Sequence, residues 1–169
     1  MAQTHEKGLK PSFAIQDALT PADLAEAKRL FLEYAESLGF SLCFQGFDRE
    51  LAELPGKYTP PAGRLLLARS GEGSAGCVAL RPLQPGVAEI KRLYVCPPYR
   101  GLGLGRLLAE SVAREAREAG YHWVYLDTLP QMKEAIPLYR SMGFIEIPPY
   151  CANPVEGAVF MKLDLSPDR

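Results

Sequence analysis

The chain has 169 residues, 47% of them apolar and 23% charged, with a formal net charge of −1. That is a single domain's length with material for a self-standing core, and a balance with no broad pull toward nucleic acid or an anionic membrane. Four widely spaced cysteines form no Cys-x-x-Cys pair and the only histidines are His5 and His122, so no disulfide framework and no metal site is expected, and a reduced, cytoplasmic setting is.

Residues 1–10 are polar and do not read as a secretory leader. Ser12 to Gln16 alternate weakly, as a first strand would. Thr20-Pro21-Ala22-Asp23 reads as a helix start, with Thr20 as N-cap, proline at the first position and an acid at the third. Leu24, Ala27, Leu30, Phe31, Tyr34 and Leu38 then recur at helical spacing up to Gly39. The charge-free run Ser37 to Phe47 is too short to span a bilayer. Asp48 is expected to cap a short second helix that ends at Pro55-Gly56.

Arg64 to Arg69 and Gly76 to Arg81 read as a hairpin around Ser70 to Ala75, and Val87 to Val95 as the next strand. Leu104, Leu107, Leu108, Ser111, Val112, Ala116 and Ala119 mark one face of a helix closed by Gly120. Tyr121 to Asp127 is a strand. Ala135, Ile136, Tyr139 and Met142 belong to a short helix stopping at Gly143, with Pro137 in its first turn, where a missing N–H costs little. Phe144 to Ile147 and Val159 to Leu165 close the chain. The order βααβββαβαββ predicts an α/β (α+β) fold, a mixed central sheet flanked by helices in one domain over 12–165, with short tails at 1–11 and 166–169.

Two adjoining segments carry the chemistry. In Glu89-Ile90-Lys91-Arg92-Leu93-Tyr94-Val95, strict alternation sets Ile90 against Leu93 and Val95; a β-bulge between Ile90 and Leu93 brings all three onto one side and leaves backbone groups for a ligand. Packing of Ile90 on a second face is the plainer reading. In Arg100-Gly101-Leu102-Gly103-Leu104-Gly105-Arg106, three alternate glycines let backbone N–H groups approach a ligand, and the following helix aims its unpaired N–H groups at the same place. With two flanking arginines, this is a phosphate site.

Arg100-x-x-Gly103-x-Gly105 matches the signature of the GCN5-related N-acetyltransferase (GNAT) superfamily, and Leu138-Tyr139-Arg140-Ser141-Met142-Gly143-Phe144 resembles its second hallmark. The element order from Ser12 to Leu165 resembles it as well. The resemblance implies the acyl-CoA N-acyltransferase fold, with acetyl-CoA held where the strands Val87 to Val95 and Tyr121 to Asp127 splay apart. It implies pyrophosphate on the backbone of Arg100, Gly101, Leu102, Gly103, Leu104, Gly105 and Arg106, and pantetheine along Leu93, Tyr94 and Val95. A backbone N–H at Leu93 or Tyr94 would polarise the thioester carbonyl. Glu89 is the implied base, direct or through water, and Tyr139 the implied acid protonating the departing thiolate. The plainer alternatives are a Glu89 that is solvated or paired with Lys91 or an arginine, and a core Tyr139. Cys96 is expected to be an inert thiol, having no histidine near it in sequence.

In similar enzymes the acceptor pocket draws on the first two helices and the last connections, here Glu33 to Tyr58 and Pro148 to Gly157. These hold Glu33, Glu36, Asp48, Glu50, Glu53 and Glu156 beside Phe40, Phe44, Phe47, Tyr58 and Tyr150. Acids with aromatics suit a cationic amine, although ordinary surface and core packing accounts for them too. The expectation is an acetyl-CoA-dependent N-acetyltransferase acting on a small or amino-acid-like primary amine, with no metal, nucleic acid or membrane partner. Similar proteins are often homodimers. Two alternatives stay open: a catalytically inactive acyl-CoA sensor of the same fold, and a dinucleotide-binding unit. The second is weakened because Arg106 replaces its third glycine and too little chain follows Asp127. A Walker-type loop is excluded, because no Gly-Lys-Ser/Thr follows the glycines.

Overall fold

The computed structural model describes residues 11–42, 46–71 and 73–167; His5, Cys43 and Phe44 lie outside them. Seven strands form one mixed sheet in the order β1-β2-β3-β4-β5-β7-β6. They are β1 (Ala14–Asp17), β2 (Arg64–Ser70), β3 (Gly73–Gln84), β4 (Val87–Val95), β5 (Trp123–Thr128), β6 (Ile145–Ile147) and β7 (Val159–Asp164). The helices are α1 (Pro21–Leu38), α2 (Phe47–Glu53), α3 (Leu104–Glu118) and α4 (Ala135–Ser141). The expected element order is therefore observed.

Helix α1 starts as its sequence predicts. The Thr20 hydroxyl accepts from Asp23 N–H while Asp23 accepts from Thr20 N–H, a reciprocal capping box. Asp23 also ion-pairs with Arg69 of β2 at 2.7 Å, tying the helix start to the sheet. Several boundaries differ from expectation: β1 and β5 each start two residues later than read from the sequence, and β3 runs over Gly73–Gln84 rather than Gly76 to Arg81. Asp48 does not cap α2: Gly46, in the left-handed conformation, occupies the cap, and Asp48 lies inside the first turn. The turn between β2 and β3 is tighter than Ser70 to Ala75, because Ser70 already pairs with Gly73.

Two cores sandwich the sheet. Leu104, Leu108, Val112 and Ala116 of α3 pack with Leu66, Val78, Leu80, Ala88 and Ile90 on one face. Ala27, Leu30 and Phe31 of α1 pack with Leu65, Leu67, Cys77, Ala79 and Tyr94 on the other. The predicted bulge in β4 is present. Ala79 pairs with Lys91 and Cys77 with Tyr94, so β4 spends one residue more than β3 over this interval. Ile90, Leu93 and Val95 accordingly all pack on the α3 side.

Arg92 takes up the irregularity with φ of 57°, unfavourable for a residue with a Cβ. Its guanidinium pairs with Glu50 of α2 at 2.9 Å and lies over the Phe47 and Tyr34 rings. Glu50 also accepts from the Tyr58 hydroxyl at 2.7 Å. These contacts hold a backbone geometry that costs on the order of 1–3 kcal/mol.

Candidate active site

Strands β4 and β5 run parallel, and their pairing is brief: Val87 with Trp123, Ala88 with Val124 and Glu89 with Tyr125. Beyond Glu89 the strands part, and among the described residues the β5-facing backbone from Ile90 onward has no strand partner. The opening is a cleft lined by Ile90, Lys91, Arg92 and Leu93 of β4, by Leu126, Asp127 and Thr128 of β5, and by Tyr34, Met132, Tyr139 and Asn153.

The glycine loop lies beyond the end of β4. Gly101 and Gly103 have φ of 77° and 80°, and no atom lies within 4 Å of where a Cβ would stand on either. Left-handed backbone with open space beside it is what lets N–H groups converge on an anion. Gly103 caps α3 without any side-chain hydrogen bond, so the first-turn N–H groups are left to a ligand. A pyrophosphate fits this arrangement. Gly105 turns inward: a Cβ there would meet Leu138 of α4 at 3.7 Å, which brings the two helices together beside the cleft. The flanking arginines have partners within the chain. Arg100 donates to the Val95 carbonyl at 3.0 Å and lies over the Tyr94 ring, while Arg106 reaches Glu110 and Ser141.

Tyr139 lies in α4 with Pro137 in the first turn, as expected. The residue is 6% exposed and its ring packs on Phe144. Its hydroxyl has no hydrogen-bond partner among the described residues, yet no buried polar side-chain atom there lacks one. The hydroxyl therefore opens onto the cleft its residue lines. Burial pushes its pKa well above the ordinary 10.0, so it stays a proton donor.

Glu89 sits at the last paired position, behind the cleft lining, and is 1% exposed. One carboxylate oxygen accepts from Arg81 at 2.8 Å and the other from the Tyr150 hydroxyl at 2.6 Å. The arginine-paired state weighed from the sequence is thus what the structure holds. Tyr150 belongs to the loop between β6 and β7, and burial beside Glu89 raises its pKa strongly.

The same loop is fastened a second time, by Asn153 Nδ2 donating to Asp127 Oδ2 at 3.0 Å. Asp127 faces Lys91, whose Nζ is 3.6 Å from Oδ1. Lys91, Tyr34 and Asn153 were not among the sequence candidates, and Asp127 entered only as the acid of the dinucleotide-binding alternative. The local signal for the first was two adjacent cations in the middle of a strand that packs on both faces. No local pattern marks the other three.

Of the acids expected near an acceptor, Glu50 is taken by Arg92, and Glu33 pairs with Arg29 and accepts from the Tyr94 hydroxyl. Cys96 is buried, and burial pushes its thiol above the usual range, which suits an inert role. No helix among the described residues is long and apolar enough to cross a membrane.

Comparison with known proteins agrees with this geometry. The model of the acetyltransferase (GNAT) family matches residues 26–144. An uncharacterised N-acetyltransferase of Schizosaccharomyces pombe is 44% identical over 161 residues, covering 94% of this chain and 99% of that protein. The crystal structure of a GNAT-family acetyltransferase from Staphylococcus aureus Mu50 superposes with a TM-score of 0.75 at 20% identity, over 92% of this chain and all of that one. A Salmonella typhimurium protein solved with its cofactor acetyl-CoA superposes with a TM-score of 0.64 at 20% identity, over 92% and 95% of the two chains.

Proposed function

The chain belongs to the GNAT acetyltransferase family, and we propose that it moves an acetyl group directly from acetyl-CoA to a primary amine of a small or amino-acid-like acceptor. The observation that carries this reading is the opening between β4 and β5, bordered by a phenol, with a glycine loop built for phosphate following β4. Acetyl-CoA supplies an activated thioester. The backbone from Arg100 to Arg106 holds its pyrophosphate, with Arg100 and Arg106 turning from their internal partners toward it. The free backbone edge at Leu93, Tyr94 and Val95 pairs with the pantetheine amides. An N–H at Leu93 or Tyr94 withdraws charge from the thioester carbonyl.

Tyr139 gives its proton to the leaving sulfur. Its raised pKa keeps that proton available across neutral pH. Glu89 accepts the proton of the acceptor amine through the Tyr150 hydroxyl or a water, since both of its oxygens are engaged. The reaction we assign takes place in the cytoplasm, with no metal, nucleic acid or membrane taking part.

Thermal unfolding with and without acetyl-CoA, with NAD and ATP as controls, tests the donor site. A ligand at 100 times its Kd adds about 2.7 kcal/mol, or roughly 2–4 °C per kcal/mol at this chain length. Release of free thiol over a panel of amines and peptides then tests transfer. A shift with acetyl-CoA alone and thiol release with small amines is expected. A shift with NAD alone overturns the donor assignment. Acetyl-CoA binding with no thiol release on any acceptor turns the reading toward a sensor.

A further inference from the structure

The Lys91–Asp127 pair is unusual for one so well covered. The two side chains are 7% and 9% exposed. Buried charges ordinarily close to hydrogen-bonding distance, because each must recover the water it has lost. Here Nζ and Oδ1 stop 3.6 Å apart, and no described residue hydrogen-bonds to the Lys91 ammonium. No buried polar side-chain atom among the described residues lacks a partner, so the ammonium must reach the cleft. Beyond its ion pair with Asp127, it has N–H donors to offer there. Asp127 uses Oδ2 for Asn153 and leaves Oδ1 free of any hydrogen bond. Both residues line the cleft on the side of Tyr34, opposite the α3 core.

We propose that Lys91 and Asp127 form a two-point site for a zwitterionic acceptor, with the carboxylate of an α-amino acid on Lys91 and its ammonium against Asp127. The proposal rests on the acetyl-transfer reading above and narrows its acceptor. The site's own charges sum to zero, so a net-neutral molecule with separated charges meets both of them. In an α-amino acid those charges stand on adjacent carbons, a spacing suited to two groups 3.6 Å apart. A plain cationic amine satisfies Asp127 but faces the Lys91 ammonium, a repulsion that selects against it. Asn153 holds Asp127 in place from the β6–β7 loop, so the acidic half of the site is fixed before the acceptor arrives.

The test compares L-amino acids with their decarboxylated amines: L-phenylalanine with phenethylamine and L-leucine with isoamylamine, read as kcat/KM for thiol release. The wild-type protein is expected to favour the carboxylate-bearing member by about tenfold or more, the worth of one charge-assisted hydrogen bond. Lys91→Met is expected to bring the two members of each pair level, and Lys91→Arg to restore part of the preference. An acetyl-CoA-induced thermal shift in both variants verifies that they are folded. Equal or better use of the decarboxylated amines by the wild type overturns the proposal, as does a preference that survives in Lys91→Met. Acetyl-CoA binding with no transfer to any carboxylate-bearing member overturns it too. Absence of any acetyl-CoA shift in the wild type would instead overturn the transferase reading beneath it.

Discussion

At the scale of single residues, the cleft assigns different tasks to groups of similar chemistry. Tyr139 and Tyr150 are both phenols raised in pKa by burial, but Tyr150 spends its proton on Glu89 while the Tyr139 hydroxyl is free of hydrogen bonds among the described residues. Tyr139→Phe removes the donor and little else, since the ring keeps its packing on Phe144. We expect kcat to fall by about 10²-fold or more, the usual worth of a positioned acid, with the acetyl-CoA Kd unchanged. An unaltered kcat in steady-state assays would remove Tyr139 from the mechanism. Because its pKa lies above the ordinary 10.0, the wild-type kcat should also show no alkaline loss from this group below that pH. Glu89 and Asp127 divide in the same way, one sealed between Arg81 and Tyr150, the other open at one oxygen.

At the scale of elements, most of the architecture is legible because its signals are local. The α1 capping box is written in Thr20 and Asp23, and the glycine loop in the residues from Arg100 to Arg106. The β4 bulge shows in the spacing of Ile90, Leu93 and Val95. What is not legible depends on partners far along the chain. Gly73 and Ser74 look like turn residues, yet they pair with Ser70 and Arg69 because β3 extends alongside β2. Lys91, Asp127 and Asn153 converge only because the β4–β5 ladder ends at Glu89, and no residue announces that end.

The α1 cap supports a prediction at this scale. Thr20→Ala should cost about 1 kcal/mol of unfolding free energy, read from urea titration. Asp23 adds a pH dependence. Hydrogen bonds from Thr20 hold its carboxyl below the ordinary 3.8. A carboxyl lowered in the folded state stabilises above its unfolded pKa, and that gain is lost as pH falls through the folded value. Wild-type stability should therefore drop more steeply than that of Asp23→Asn below about pH 4. Parallel acid-unfolding curves for the two proteins would remove Asp23 from the acid response.

At the scale of the whole molecule, three paired positions join β4 to β5, whereas six join β5 to β7. The short seam divides the sheet into β1 to β4 on one side and β5, β7 and β6 on the other, with both sides sharing the core under α3. Local opening follows such weak lines. Amide hydrogen exchange should show the amides of β5, β7 and β6 exchanging as one group, with a lower opening free energy than those of β2 to β4. A single common rate for both groups would contradict this division. The β6–β7 loop stitches the seam from outside, through Tyr150 to Glu89 on one side and Asn153 to Asp127 on the other. A donor molecule lying across the seam would then serve as a removable staple, and each turnover would end by loosening the sheet that had just been joined.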